Sequence, residues 1–124
     1  EDLSGRLIPA VEVRLRGLYR LLPPDYYEAA DNLADFCDRI EKQYGVRPVI
    51  YCTERTYKNI VASDSRFNKD KIWYESLFSK PDEDMNWTFW TYTNRVKFSF
   101  YESGEYLHMT VFNGSEDDFK KLII

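Results

Sequence analysis

"LADFCDRIEKQYGVRPVIYCTERTY", residues 33–57, decides the fold. Its first half repeats apolar residues at helical spacing: Leu33, Phe36, Cys37, Ile40 and Tyr44. Gly45 follows as a stop, since glycine enters the left-handed conformation that ends a helix without steric cost. Upstream, Asp25 suits an N-cap, and Glu28 stands three residues on, the capping-box spacing. This predicts one amphipathic helix over about 26–44 with a solvated charged face. "VRPVIYC", 46–52, then reads as a short buried strand rich in β-branched residues.

Outward from that core, Val11, Val13 and Leu15 alternate with Glu12, Arg14 and Arg16. A period of two predicts a half-buried strand over 7–16 with a charged face. "PPD" at 23–25 separates this strand from the helix. Strand, helix and strand make a βαβ unit, hence parallel strands and a right-handed crossover. Thr53 caps a second helix through about Ser63, with Tyr57, Ile60 and Val61 inward. "KIWYESLF", 71–78, is a third strand candidate, followed by the turn-rich "SKPDEDMN". "WTFWTYT", "VKFSFY" and "YLHMTVF" then come with short turns, and "ESGE" at 102–105 reads as a hairpin, so this region is antiparallel. Ser115 and Asp118 form another capping box, opening a short helix with Phe119, Leu122 and Ile123 inward. The expected class is α/β in a single domain over 1–124: parallel βαβαβ, then antiparallel strands, with two main helices and a short C-terminal one.

The chain has 124 residues, 44% of them hydrophobic, enough for a real core. Ten Tyr, eight Phe and three Trp suit either an aromatic core or a surface for sugars and partners. The net charge of −4 and the scattered basic residues argue against nucleic acid. No apolar run is long enough to cross a bilayer, and no leading signal peptide is expected. Cys37 and Cys52 sit in apolar patterns and read as buried free thiols. Two Cys and one His cannot supply a thiolate-rich zinc site, and no cofactor is expected.

This order of elements, with the residues that fill it, resembles the C-terminal half of the Chalaropsis-type lysozymes of glycoside hydrolase family 25. Three stretches carry the resemblance: "LIPAVEVRL", "LADFCDRIEKQYGVRPVIYCTERTY", and the pair "WTFWTYTNR" and "YLHMTVFNGSEDDF". The family usually reads Trp-x-Phe-Trp-Gln-Tyr and later Asp-Met/Leu-Asn-Val-Phe-Asn-Gly in the last two. The resemblance spans most of 7–122. It implies a half-barrel, about strands four to eight of an eight-stranded barrel whose last three strands lack intervening helices. It also implies a secreted peptidoglycan N-acetylmuramidase as the parent activity.

The departures fall where the chemistry belongs. The family's Asp-x-Glu pair places its Asp at Glu12 and its catalytic Glu at Arg14. Its last-strand Asp falls on His108 and the following Asn on Thr110. Its Gln falls on Thr91, and its Arg and Asn lie near Glu75 and Ser76. Substrate-side positions by this resemblance are Trp73, Tyr74, Glu75, Thr91 and Thr110, with Trp73 and Tyr74 as candidates for sugar stacking. Glycosidases need a proton donor on the leaving oxygen and a second carboxylate. Arg14 carries a guanidinium, which cannot give up its proton, and Glu12 is a methylene longer than Asp. The plain alternative is a same-face charge pair of Glu12 and Arg14, with Glu75 and His108 as neighbours.

Changes gathered on one face predict a redesigned or degenerate scaffold without muramidase activity. Its rivals are a muramidase completed by another chain and a weak peptidoglycan-binding module. The strand edges at 7–16 and near 106–112 invite pairing, which favours a homodimer slightly over a monomer whose polar face is simply solvated.

Overall fold

The computed structural model describes residues 4–14, 25–77, 79–96 and 107–124. Helix α1 covers Tyr26–Tyr44. Asp25 accepts from the Glu28 amide at 3.0 Å, and Gly45 closes the helix with φ 77°. The inward stripe is Ala30, Leu33, Ala34 and Cys37, and Phe36 stands 48% exposed at its margin.

Strand β1, Ala10–Glu12, precedes α1, and β2, Val49–Thr53, follows it. They pair in parallel with Val11 beside Ile50. β1 is shorter than the alternating stretch over 7–16: Leu7 instead bridges Ile123 near the C terminus, and residues 15–16 lie outside the described residues. β2 begins three residues later than the apolar run. Arg47 is held by Asp70, and Pro48 has no N–H for a ladder.

Thr53 ends β2 and caps α2, Glu54–Thr56. The expected helix to Ser63 does not continue as an α-helix. Residues Tyr57–Val61 form a π-helical turn and Ser65–Phe67 a 3₁₀ turn. The Asn59 side chain donates to the Arg55 carbonyl at 3.0 Å, competing with the regular ladder. Ile60 and Val61 still point inward, as their spacing predicts.

β3, Ile72–Glu75, pairs in parallel with β2 and with β4, Trp87–Val96. β5, Leu107–Phe112, runs antiparallel to β4. The result is a five-stranded mixed sheet in the order β1-β2-β3-β4-β5. β4 runs on through Val96, so the start of "VKFSFY" belongs to it; the rest of that stretch and the "ESGE" turn lie outside the described residues. Helix α3, Glu116–Lys120, opens on the full capping box of Ser115 and Asp118. Leu122 is buried behind it, whereas Ile123 is 44% exposed and serves the bridge to Leu7.

The core occupies one face of the sheet. Ile50, Cys52, Ile72 and Tyr74 meet the α1 stripe together with Ile60, Val61 and Phe67. Because strand side chains alternate, Glu12, Tyr51, Trp73, Glu75, Phe89, Thr91, His108, Thr110 and Phe112 belong to the opposite face. Cys37 and Cys52 are free and buried.

Candidate functional site

The face away from α1 carries two interleaved rows. One is aromatic. Tyr51 meets Trp73 at 4.8 Å between ring centroids, Trp73 meets Phe89 at 5.1 Å, and Phe89 meets Phe112 at 5.5 Å. It crosses from β2 to β5 because register sets these residues side by side: Tyr51 with Trp73, Trp73 with Phe89, and Phe89 with Phe112. Phe112 continues onto Phe119 of α3 at 5.3 Å, so the short helix is packed against this row.

The other row is polar. The Trp73 indole N–H donates to Thr91 Oγ1 at 2.9 Å, and Thr91 and Thr110 share a hydroxyl–hydroxyl bond of 2.6 Å. Thr91 is 1% exposed, whereas Thr110 is exposed, so this row runs from the buried part of the face out to solvent. Tyr51 donates to Glu75 Oε2 at 3.0 Å. Burial first, then the acceptor and charge of Glu75, push the Tyr51 phenol up to about 12, and the charge of Glu12 adds to this. At the edge of the sheet, Arg14 Nε donates to Glu12 Oε1 in an exposed pair.

The residues singled out in the sequence therefore divide. Glu12 and Arg14 bond to each other, and Glu12 lies opposite Tyr51 in the register. Glu75 turns to Tyr51, and Thr91 joins Thr110 directly while accepting from Trp73. His108 is exposed on β5, two residues from Thr110 and on the same side. Trp73 and Tyr74 are adjacent in one strand and so face opposite ways. Tyr74 is 5% exposed in the helix-side core, edge-on to Tyr57 at 5.7 Å. Ser76 is buried, and its carbonyl accepts from the Trp90 indole. Tyr51 and Phe112 are not singled out by the sequence. The signal for them was alternation within "VIYCT" and "LHMTVF", read together with the register.

Beside this face, at the carboxyl ends of β2 and β3, lies a cleft of about 530 Å³ bordered by Thr53, Glu54, Arg55, Lys58, Glu75 and Ser76. Ligands of α/β sheets gather at such strand ends. The chemistry on offer is limited. Among the described residues of this face, Glu12 is paired with a guanidinium and Glu75 accepts from a phenol. Among the described residues no three His, Cys, Asp or Glu side chains gather to hold a metal.

The family model described as "Glycosyl hydrolases family 25" matches residues 21–99. No curated protein matches the chain. Among solved structures, a family 25 glycosyl hydrolase from Bacillus anthracis is similar, with a TM-score of 0.80 and 28% identity over 96% of this chain and 55% of that one. A family 25 lysozyme from Aspergillus fumigatus gives a TM-score of 0.70 at 17% identity, over 94% of this chain and 56% of its own. A muramidase from Acremonium alcalophilum gives 0.59 at 20% identity, over 81% and 47%. The chain thus spans about half the length of the solved structures it resembles.

Proposed function

The chain belongs to glycosyl hydrolase family 25, and from that premise we propose that it is a lysozyme-like half-barrel scaffold without muramidase activity of its own. One observation carries this reading. Where the resemblance puts the catalytic Glu stands Arg14, whose guanidinium is bonded to the only carboxylate of that motif, Glu12. A guanidinium keeps its proton through any turnover near neutral pH, so the general-acid step has no donor at this position. His108, at the position of a family Asp, offers an imidazole in place of a carboxylate. The test is turbidity and reducing-sugar release on bacterial cell walls from pH 4 to 8. The expected result is no signal above buffer. Sugar release that disappears in Glu12→Gln or Glu75→Gln overturns the proposal. Turnover that appears only on mixing with a separate chain bearing the rest of such a domain marks a completed enzyme instead.

A second reading has its own support in the aromatic row of Tyr51, Trp73 and Phe89, which are only partly buried on the uncovered face. Half-exposed aromatic rings are the usual platform for the apolar faces of sugars. On this reading the chain retains weak affinity for peptidoglycan glycan after catalysis is gone. Retention on insoluble peptidoglycan that weakens in a folded Trp73→Ala variant supports it. Equal retention of the two proteins excludes it.

A further inference from the structure

The backbone of β1 divides its hydrogen bonds by parity. Val13 N donates to Tyr51 O at 2.9 Å, and Pro9 O accepts from Val49 N at 2.8 Å. The odd-numbered residues therefore serve β2. In an extended strand the intervening groups point the other way, so those of Ala10, Glu12 and Arg14 leave the sheet at its edge. Just upstream the same outward side is occupied: Ile8 N donates to Leu122 O and Ile124 N to Arg6 O. The C-terminal tail thus covers the first part of this edge. Among the described residues nothing takes the outward groups of Ala10, Glu12 or Arg14.

Two further features lie along this uncovered run. On its helix side, Val11 and Val13 border a cleft of about 310 Å³ with Ala29, Leu33 and Phe36 of α1, and Phe36 is 48% exposed. On its other side stand Glu12 and Arg14, opposite charges two residues apart.

We propose that this edge pairs with the same edge of a second copy of the chain, antiparallel, about a two-fold axis beside Val13. A two-fold contact is self-complementary, so position i meets position 26 − i. Glu12 then faces Arg14 of the second copy as a hydrogen-bonded backbone pair, and the reciprocal pair forms across the axis. This uses the outward groups of both residues and sets opposite charges directly across strands, the arrangement that favours pairing. The alternative axis beside Glu12 sets Glu12 against Glu12 and is opposed by like charge. About the Val13 axis the two Val13 side chains meet on the helix side, where the cleft and Phe36 are covered. The inference is independent of whether the uncovered face binds or cleaves sugar.

Sedimentation of the full chain over a concentration series up to about 100 µM tests it. The expected result is a concentration-dependent rise from 14.8 kDa toward twice that mass. Glu12→Arg and Arg14→Glu, each checked for native circular dichroism, set like charges across the axis and should weaken association by about tenfold or more. The double variant Glu12→Arg/Arg14→Glu recreates opposite pairs and should restore it. Amide exchange at Glu12 and Arg14 should slow as the dimer forms. A single 14.8 kDa species at every concentration overturns the proposal. A dimer that ignores the charge reversals, or a double variant that fails to recover, overturns it as well.

Discussion

Tyr51 and Glu75, 24 residues apart, are joined on adjacent strands of the uncovered face by a hydrogen bond of 3.0 Å. Removing the hydroxyl in Tyr51→Phe leaves the partly buried Glu75 without its donor. The expected loss is about 1–2 kcal/mol in urea unfolding, the scale of a hydrogen bond to a charged group. The phenol also makes a pH signature. Its folded pKa is raised from 10.0 to about 12. The unfolded state then loses its proton first, so this stabilisation is complete below pH 10 and lost as pH rises toward 12. The fall should be shallower in Tyr51→Phe, with Tyr74, also raised to about 12, accounting for part of the remainder.

Cys37 and Cys52 should resist thiol reagents in the native protein. Burial pushes Cys52 up to about 12, and burial with the nearby Asp70 charge pushes Cys37 up to about 11. Thiolate is the reactive form, so labelling at pH 8 should follow the rate of opening and not the reagent's chemistry. Stopped labelling analysed by mass should show two slow thiols, both becoming fast in denaturant. A thiol that labels at the rate of a free peptide contradicts this placement.

Asp70 is buried and receives two hydrogen bonds from Arg47, at 2.6 and 3.0 Å, while Arg47 also reaches Asp38 at 2.9 Å. The bidentate pair ties the loop after α1 to the turn before β3. Asp70→Ala leaves the Arg47 guanidinium, only partly exposed, with its outer partners alone. The expected cost is about 2–3 kcal/mol, near the lower range for breaking a buried pair. Asp38→Ala, at an exposed partner, should cost under about 1 kcal/mol. Equal costs in the two variants would contradict the burial argument.

Asp118 completes the α3 capping box, with Ser115 N and Ser115 Oγ both donating to Oδ2 at 3.0 Å. The Ser115 backbone bond first, then its hydroxyl and Lys121, hold the Asp118 carboxyl below its usual value. A depressed folded pKa stabilises above the unfolded pKa, and that contribution is lost as pH falls through the folded value. Asp118→Asn should therefore flatten the acid side of the stability curve below roughly pH 4. Ser115→Ala removes the cap itself and should cost about 1 kcal/mol at neutral pH. Thermal melts across the acid range measure both.

Local chemistry was legible in the sequence wherever a structure needs only neighbours along the chain. The bounds of α1 follow from Asp25, Gly45 and a stripe at helical spacing, and the observed helix starts and stops there. The Ser115–Asp118 box is likewise a matter of three residues. The βαβ order, the buried thiols and the family resemblance were readable for the same reason: each rests on a pattern written continuously in the chain. Only the tertiary structure decided which side chains share a face. Tyr51 with Glu75, Thr91 with Thr110, and Arg47 with Asp70 are joined across 24, 19 and 23 residues. The first two pairs depend on strand register, where a slip of one residue sends every side chain to the opposite face. That alternation also separates Trp73 from Tyr74, neighbours in sequence that end on opposite sides of the sheet. The second helix yielded to tertiary context too. Its apolar residues point inward as spacing requires, but the Asn59 side chain and the packing of Ile60 and Val61 settle into a wider turn. Propensity selects a helix there, and the Asn59 side chain on the Arg55 carbonyl competes with its regular ladder.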